Sequence, residues 1–404
     1  MFQSKAIFKI KGVVQHYAWG GNNFIPQFIH FDNSENKPCA EYWLGAHPSA
    51  PAQITTLPTP FLLNEFIQQN PIEVLGESVY NTFKELPYLF KILDVKDMLS
   101  IQVHPSKTEA EKGFDAEETA GIAINAINRN YKDKNHKPEV MIALSDFWLL
   151  HGFKSANNIE TTLQDVPELN LLLPLFKKDG YKNVYEFIMQ MPQEQVDVIL
   201  LPLVKRELRK KRDNALNRQM PGWWVSKLFE NGFDEKNIDR GIFSLYLFNI
   251  VHLEKGEAVF QGAGVPHAYL EGQNIELMAN SDNVLRGGLT PKHIDVTELM
   301  KHTLFEPVEP KVVRTKQIGN EKIYPCPVAD FGISVIELNA GEHYSALTTS
   351  LEILLIAEGA LIVKEHENMV FKKGEAIAVI AQQEYQLVAS GKTTIYKAFV
   401  PAMH

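Results

Sequence analysis

The chain has 404 residues, with 40 lysines and arginines against 49 acidic residues, a formal net charge of −9 and two cysteines. That charge argues against nucleic acid or an anionic membrane as a partner, and Cys39 and Cys326 form no C-x-x-C zinc or disulfide motif. No apolar run reaches the roughly 18 residues that a membrane span needs, and the N-terminus lacks a hydrophobic signal core. We therefore expect a cytoplasmic protein.

The first part of the chain, up to about residue 153, has the pattern of a β-rich region. Short apolar runs separated by Gly and Pro are typical of strands in a sandwich or barrel. The runs cover residues 7–14, 88–93, 99–103 and 140–144. One helix is predicted among them at residues 108–128, where Thr108 would be the N-cap of an acidic first turn.

Potential metal ligands occur in this region and again downstream. In a strand, Gln102 and His104 project from the same face. Glu139 follows in the segment HKPE, and His267 follows in VPHAY. Two histidines, a carboxylate and an amide oxygen, with no thiolate, suit a divalent ion such as zinc in a catalytic site. A Gln-x-His pair is also common as a plain hydrogen-bonded pair, so the pattern alone leaves both interpretations open.

Residues 155–240 change to a helical pattern, because leucines and isoleucines recur there at helical spacing with charged residues between them. The clearest predicted helix covers 196–212 and ends in the basic run 205–212. Solvated cations near a helix C-terminus explain that run better than nucleic-acid binding in an acidic chain. The segment is predicted to be a helical insertion between two halves of a β domain.

Strand character returns at 245–253, and the tetrad KGEA follows at 255–258 and again at 373–376. Gly-Glu turns between strands resemble those of cupin jelly rolls, although four matching residues could also arise by chance. We therefore predict a mainly β fold with two cupin-type jelly-roll domains and a helical insertion domain. The predicted boundaries are 1–154 with 241–315 for the catalytic jelly roll, 155–240 for the insertion and 316–404 for a degenerate C-terminal jelly roll.

The residue eleven positions after the glycine differs between the two tetrads. His267 lies eleven residues after Gly256, whereas the same step from Gly374 reaches Tyr385. The second jelly roll therefore lacks one position that would ligate a metal.

Six segments of the chain together resemble the type I phosphomannose isomerases of the cupin superfamily. They are YAWG at 17–20, AEYWLGAHPS at 40–49, QVHP at 102–105, NHKPE at 135–139, GVPHAY at 264–269 and MANSDNVLRGGLTPK at 278–292. The resemblance implies an aldose–ketose isomerase that interconverts mannose 6-phosphate and fructose 6-phosphate through an enediol. It also implies one Zn2+ ion per chain, with Gln102, His104, Glu139 and His267 as its ligands.

Such a reaction needs a base, a proton donor and positive charge against the developing oxyanion. Lys137 precedes Glu139 by two residues, so in an extended stretch it would point into the same cavity. A nearby divalent cation and partial burial favour the neutral amine that a base requires. His136 and Asp282 compete with Lys137 for proton transfer, and His136 could equally be an ordinary loop histidine.

Arg286 lies in an apolar, glycine-rich run, where a guanidinium needs an anionic partner. A structural salt bridge would supply one, but the family resemblance assigns this arginine to the active site, where it would stabilise the enediolate. Ser100 and Lys292 are expected to contact the phosphate. The other expected pocket residues are Trp19, Glu41, Lys91, Tyr269 and Glu276. Trp19 and Tyr269 would also be ordinary as core aromatics.

Two other function classes stay open at this stage. A different cupin metalloenzyme, such as an iron-dependent oxygenase, would use the same two histidines and carboxylate, but oxygen chemistry does not need Lys137 or Arg286. A non-catalytic sugar-phosphate-binding protein would keep the pocket yet tolerate loss of metal ligands. For the isomerase we expect a monomer whose partner is a small-molecule sugar phosphate.

Overall fold

The computed structural model describes residues 6–56, 59–230, 232, 234–364 and 369–402. The chain is mainly β, with three sheets whose strand pairs are antiparallel. Among the described residues, no helix is long and apolar enough to cross a membrane. The predicted mainly β class is therefore confirmed.

The N-terminal part of the described chain alternates strands and short helices. Its strands are β1 (Ile7–Lys11), β2 (Val13–Gln15), β3 (Glu41–Gly45), β4 (Gln53–Ile54), β5 (Phe61–Leu62), β6 (Tyr88–Val95), β7 (Gln102–Val103), β8 (Glu139–Ala143) and β9 (Phe147–Phe153). Its helices are α1 (Phe24–Ile29), α2 (Leu63–Gln69), α3 (Pro71–Leu75), α4 (Glu77–Phe83) and α5 (Lys107–Thr119).

Two predictions in this part need correction. Helix α5 is capped by Ser106 instead of Thr108, because the Ser106 hydroxyl accepts a hydrogen bond from the Glu109 amide at 3.4 Å. The helix also ends at Thr119, well before residue 128, because Gly121 adopts a left-handed conformation (φ 69°) that terminates it. The strand predicted at 99–103 is shorter in the structure and consists of β7 alone. The Leu99 amide donates to the Tyr269 carbonyl, and the Ile101 amide donates to the Gly288 carbonyl, so residues 99–101 bond to two different segments.

The middle of the chain is helical. It contains α6 (Ala156–Asp165), a 3₁₀ helix (Pro167–Leu172), α7 (Leu173–Gln190), α8 (Gln193–Arg212), α9 (Pro221–Leu228) and α10 (Gly241–Leu247). Residues 245–247, predicted as strand, are the last turn of α10. This helix is buried on all sides, and a short, wholly apolar run does not distinguish a buried helix from a buried strand.

The C-terminal half returns to strands. These are β10 (Phe248–Leu253), β11 (Ala258–Gln261), β12 (His267–Ala279), β13 (Leu285–Arg286), β14 (Lys316–Ile318), β15 (Glu321–Tyr324), β16 (Gly332–Leu338), β17 (His343–Leu347), β18 (Glu352–Glu358), β19 (Ala360–Val363), β20 (Met369–Lys372), β21 (Ala376–Val379), β22 (Glu384–Ala389) and β23 (Thr393–Phe399). Helix α11 (Val296–His302) lies between β13 and β14.

Strand β12 organises the ten-stranded sheet. Its first half pairs with β7 and β9, and its second half pairs with β6 and β8. The nine-stranded sheet has the order β14-β15-β16-β23-β18-β21-β1-β4-β5, and the four-stranded sheet has the order β17-β22-β19-β20. Because β1 pairs with β21, the N-terminal strand belongs to the sheet of the C-terminal part.

The helices of the middle of the chain cover one face of β7, β9, β13 and the start of β12. Val103, Leu150, Ala268 and Leu285 share a hydrophobic core with helix residues such as Trp224. Their chain neighbours Gln102, His151, His267 and Arg286 therefore face the other way, since alternate residues of a strand point to opposite faces.

The two KGEA tetrads form the same turn. Gly256 and Gly374 have φ values of 90° and 85°, which favour glycine. In both turns the glutamate side chain accepts a hydrogen bond of 2.8 Å from a backbone amide three residues earlier, at Glu254 and Lys372. The short sequence repeat thus corresponds to a repeated structure.

Candidate active site

Strand pairing brings four polar side chains into one row. Gln102 lies opposite His267, Arg286 lies opposite Gln102, and His151 lies opposite His267. Directly opposed residues of an antiparallel pair share a face of the sheet. The row therefore runs Arg286, Gln102, His267, His151 on the face away from the helices.

Three buried side chains converge beside this row. The Nε2 atom of His104 lies 3.3 Å from Oε1 of Glu139, and Nε2 of His267 lies 3.4 Å from Oε2 of the same carboxylate. Candidate ligand atoms of the three residues all lie within 4.8 Å of one another. The sequence interval between His104 and His267 is spanned by β8, β9 and the helices, so only the folded chain brings them together.

The two imidazoles are oriented by backbone carbonyls. Nδ1 of His104 lies 2.8 Å from the Asn283 carbonyl oxygen, and Nδ1 of His267 lies 2.9 Å from that of Val265. A carbonyl only accepts, so Nδ1 carries the proton in each ring and Nε2 presents a lone pair to Glu139. Burial lowers the pKa of His104 to about 4, so this ring is neutral near pH 7.

This arrangement fits a divalent cation. The buried Nε2 atom of His104 has no hydrogen-bond partner among the described residues, although a Glu139 oxygen is close. Two imidazole lone pairs and a carboxylate aimed at one point repel one another unless a cation lies between them. Nitrogen and oxygen donors without a thiolate, with Nδ1–H fixed by a carbonyl, are typical of catalytic zinc ligands.

Lys91 connects the neighbouring carboxylates. Its Nζ atom lies 3.4 Å from Glu41 and 3.2 Å from Glu276, and the Tyr269 hydroxyl donates to Glu276 at 2.8 Å. Burial opposes the charge on Lys91, but the two glutamates outweigh it and raise its pKa above the ordinary value. Burial and Glu276 likewise raise the pKa of the Tyr269 phenol. Both groups therefore keep their protons and act as donors.

Lys137 also contacts Glu139. Its Nζ atom is 3.3 Å from Oε1 of Glu139, and its side chain is 11% exposed. Burial disfavours a charged Glu139, but Lys137, His104 and His267 together outweigh that effect and hold the pKa of Glu139 well below its ordinary value. The carboxylate is therefore ionised and available to a cation.

Arg286 and Lys292 are two neighbouring cations without a carboxylate. Among the described residues neither makes an ion pair, and burial lowers the pKa of Arg286. Burial and the charge of Arg286 lower the pKa of Lys292 in the same way. An anionic group bound between these side chains would relieve both effects.

One cavity collects more than half of the predicted site residues. It is lined by Gln102, Lys137, Glu139, His267, Glu41, Lys91, Tyr269 and Glu276. Of the remaining predicted residues, His104 is buried behind this cavity, and Ser100 is half-buried two residues before Gln102. Trp19 stacks on Tyr17 and packs against the core that contains Tyr269.

Two candidates for proton transfer are engaged elsewhere. Nε2 of His136 lies 3.0 Å from the buried Asp330, which belongs to the C-terminal part of the chain, so the structure turns this ring away from the cavity. Asp282 lies 3.4 Å from Nε2 of His47, and its hydrogen bond with His47 lowers the pKa of the carboxyl. Of the three candidates, only Lys137 lines the cavity.

Three residues at the site escaped the sequence-based prediction. Trp43 donates to Glu41 at 2.5 Å and lies under Lys91, whose Nζ is 5.0 Å from the ring centroid. His47 contacts Asp282, and both lie in the segments that carried the family resemblance. His151 is buried, and its Nδ1 has no partner among the described residues. A lone histidine in an apolar strand gave no local signal.

The comparisons with known proteins agree with this geometry. Residues 7–156 match the family model "Phosphomannose isomerase type I, catalytic domain". A mannose-6-phosphate isomerase from Salmonella typhimurium is 37% identical over 405 residues, covering 97% of this chain and 99% of that protein. The mouse (Mus musculus) mannose-6-phosphate isomerase is 34% identical over 419 residues, covering 95% and 96%.

Solved structures lead to the same group of proteins. A crystal structure of the Salmonella typhimurium enzyme with bound substrate (f6p) and zinc matches with a TM-score of 0.88 and 34% identity, over 98% of this chain and all of the other. A zinc-bound mannose 6-phosphate isomerase matches with a TM-score of 0.85 over the same shares of both chains.

Proposed function

The chain belongs to the type I phosphomannose isomerases, and we propose that it interconverts mannose 6-phosphate and fructose 6-phosphate at the cavity described above. The observation that carries this proposal is the convergence of two buried imidazoles on Glu139, beside Lys137 and in the same row of side chains as Arg286. The function is a zinc-dependent aldose–ketose isomerisation.

The proposed zinc ligands are Gln102, His104, Glu139 and His267. The position of Gln102 opposite His267 in the row supports its inclusion, because directly opposed residues share a face of the sheet. When bound, zinc supplies a Lewis acid that polarises an oxygen of the sugar.

Lys137 is the proposed base. Isomerisation moves a proton between C1 and C2 through an enediol, so a single side chain in the cavity can remove the proton and return it to the neighbouring carbon. Lys137 shares Oε1 of Glu139 with His104. The proposed base therefore lies directly beside a proposed zinc ligand.

A fixed proton donor would hold the sugar hydroxyl groups. Lys91 stays charged between Glu41 and Glu276, and Tyr269 donates its only proton to Glu276 and thereby fixes that carboxylate. Because these groups are already hydrogen-bonded to one another, they are pre-organised, and little rearrangement accompanies the reaction. Trp19 contributes an apolar wall next to Tyr269.

Arg286 is proposed to stabilise the enediolate, and Lys292 and Ser100 to contact the phosphate. The support is electrostatic: two neighbouring cations without a carboxylate lie at one end of the row, while Gln102 and His267 occupy its middle. A planar guanidinium can hold two oxygens of an anion at once.

We further propose the division into two jelly rolls, 1–154 with 241–315 and 316–404, and the insertion 155–240. Strand registers support a repeated unit, although β1, β4 and β5 of the first unit extend the sheet formed by strands of the second. Gln261 lies opposite Glu139, five residues after Gly256, and Val379 lies opposite Glu352, five residues after Gly374. Glu352 therefore occupies the position that corresponds to Glu139.

The other ligand positions differ between the two units. His267 pairs with Gln102, and its counterpart Tyr385 pairs with Ala346. By the same register, Thr348 corresponds to His104. With Ala, Thr and Tyr at three of the four positions, the second unit offers one metal ligand, which supports one zinc per chain.

The test of the proposed function is a coupled assay for conversion of mannose 6-phosphate to fructose 6-phosphate before and after chelation. The proposal predicts turnover that chelation abolishes and zinc restores. Substrate-dependent oxygen uptake would instead indicate an oxygenase, and binding without turnover would indicate a sugar-phosphate-binding protein. We also propose a monomeric, cytoplasmic enzyme, which sedimentation and cell fractionation would test.

A further inference from the structure

Asp239 joins the helical segment to the segment that carries Arg286 and Lys292. It lies between α9 and α10, and Oδ1 accepts the amides of Gly241 at 2.7 Å and Leu289 at 2.8 Å. Oδ2 accepts the Thr290 amide at 2.9 Å. Two of the three donors therefore lie between Arg286 and Lys292 in the sequence.

The backbone at this junction adopts a conformation that needs support. Leu289 has a φ of 55°, a left-handed conformation that is unfavourable for a residue with a side chain and persists where its surroundings hold it. The adjacent backbones also touch, because a Cβ at Gly241 would lie 2.5 Å from the Leu289 nitrogen, and one at Gly288 would lie 2.5 Å from the Gly241 Cα. The two segments are therefore in close backbone contact at this junction.

Asp239 is itself held by helix α8. Asp197 accepts the amides of Asn237 at 3.0 Å and Ile238 at 2.9 Å, and the Gln193 side chain donates to the Ile238 carbonyl at 2.9 Å. A chain of hydrogen bonds thus leads from α8 through residues 237–239 to residues 289–290.

On its other side, the same segment is paired with the metal-ligand strand. Gly287 donates to the Ile101 carbonyl at 2.9 Å, the Ile101 amide donates to Gly288 at 3.0 Å, and Arg286 lies opposite Gln102. A displacement at Leu289 would therefore be transmitted to Arg286 and to Lys292, because each of them is separated from Leu289 by only two residues.

We propose that Asp239 is a positioning residue that fixes Arg286 and Lys292 for the sugar phosphate, which gives the helical segment a part in substrate recognition. The inference rests on the proposed function, in which those two cations contact the substrate. Asp239 touches neither the substrate nor the metal ligands; it acts through the backbone of residues 289–290.

The test compares Asp239→Asn and Asp239→Ala in the full-length, zinc-loaded enzyme. Asparagine keeps one acceptor oxygen, whereas alanine removes both, so the effect should increase from Asn to Ala. We expect Asp239→Ala to raise the KM for mannose 6-phosphate and to lower kcat/KM by about 10- to 100-fold, the scale of loss from a small misplacement of reacting groups. Inhibition by inorganic phosphate should weaken in parallel, while zinc content stays at one ion per chain.

Asp234→Asn is the matched control. Asp234 is exposed on the same loop and accepts the Lys236 amide at 3.0 Å, so its substitution should leave KM and kcat unchanged within about twofold. If the alanine variant fails to fold, the asparagine variant carries the test. A lower melting temperature with unchanged KM and phosphate inhibition would show a purely structural role, and loss of zinc would place the effect in the metal site; either result would overturn the proposal.

Arg286→Lys and Lys292→Gln are measured in parallel. If they impair the reaction and the Asp239 variants do not, the positioning role alone is wrong. If they leave KM and kcat unchanged, the assignment of the two cations under the proposed function is wrong.

Discussion

Lys137 and Glu139 face each other across 3.3 Å, and the same carboxylate oxygen also lies 3.3 Å from Nε2 of His104. One oxygen atom therefore adjoins both the proposed base and a proposed metal ligand. The proposed base and the proposed metal site are therefore connected through this atom.

Lys137→Met should abolish most turnover while the protein still binds zinc, because methionine keeps the length of the side chain but cannot accept a proton. General acid–base groups typically contribute about 10²- to 10⁴-fold. The measurement is kcat together with zinc content. In deuterated water the wild-type enzyme should place deuterium at C1 of fructose 6-phosphate, to the extent that solvent reaches the base.

A hydride shift would carry the original hydrogen across and would need no base at this position. Little loss of rate in Lys137→Met, combined with no deuterium in the product of the wild-type enzyme, would rule out Lys137 as the base.

His267→Ala should remove zinc and activity together. Its Nε2 atom faces Glu139, and its Nδ1 is fixed by the Val265 carbonyl. The variant therefore loses one of the four proposed zinc ligands. Metal analysis after dialysis and the isomerase assay provide the two readouts. His151→Ala is the neighbouring control, because that imidazole lies opposite His267 in the sheet but outside the converging group. Full activity in His267→Ala would exclude it as a ligand.

Arg286→Lys should bind zinc normally but turn over far more slowly. Lysine keeps the charge but loses the planar fork that can hold two oxygens. Removal of one oxyanion contact typically costs about 10²- to 10³-fold in kcat. The assay at saturating substrate tests this, and near-wild-type turnover would reassign Arg286 to a structural role.

Lys397→Met should destabilise the fold without touching the chemistry. Lys397 is buried in the C-terminal unit, where its Nζ lies 2.8 Å from both Glu321 and the Tyr344 hydroxyl. Removing it leaves the Glu321 charge unpaired, which typically costs about 3–5 kcal/mol. Urea unfolding at pH 7 measures the loss. Lys322→Met, which breaks an exposed pair with Glu337, should cost about 1 kcal/mol or less.

The same pair predicts a pH dependence. Burial opposes ionisation of Glu321, but Lys397 and the hydrogen bonds from Ser334 and Tyr344 outweigh it and lower its pKa. The unfolded chain therefore binds this proton more readily than the folded one, so Glu321 stabilises the fold above its unfolded pKa of about 4.5, and the contribution disappears as the pH falls through the lower, folded pKa. Glu321→Gln should reduce that acid sensitivity; an unchanged pH profile would contradict this account.

Site residues that lie close together in the sequence could be predicted from their spacing. Residues two positions apart in an extended segment share a face, which predicted that Lys137 and Glu139 point into one cavity. Gln102 was predicted in the same way from its spacing to His104, and all three of Gln102, Lys137 and Glu139 line one cavity. The prediction of a strand at 245–247 was wrong, because the periodicity of a short, fully apolar run does not show whether it forms a strand or a helix. The mainly β class followed from many short runs, whereas their pairing order did not.

Contacts between distant segments could not be predicted. His136 faces Asp330, 194 positions away, and Asp239 binds the backbone of Leu289. His151 faces His267 because β9 pairs with β12 in one register. Such contacts depend on which strands are neighbours in the sheet, and the residue pattern within one segment does not predict this.

Zinc titration of the metal-free enzyme tests the central claim most directly. After chelation and removal of the chelator, isomerase activity should be absent and should then rise linearly with added zinc to a sharp maximum at one equivalent per chain. The C-terminal unit has Ala346, Thr348 and Tyr385 in place of three ligands, so a second equivalent should add nothing. Full activity without metal, or a break at two equivalents, would contradict a single zinc site as the centre of the reaction.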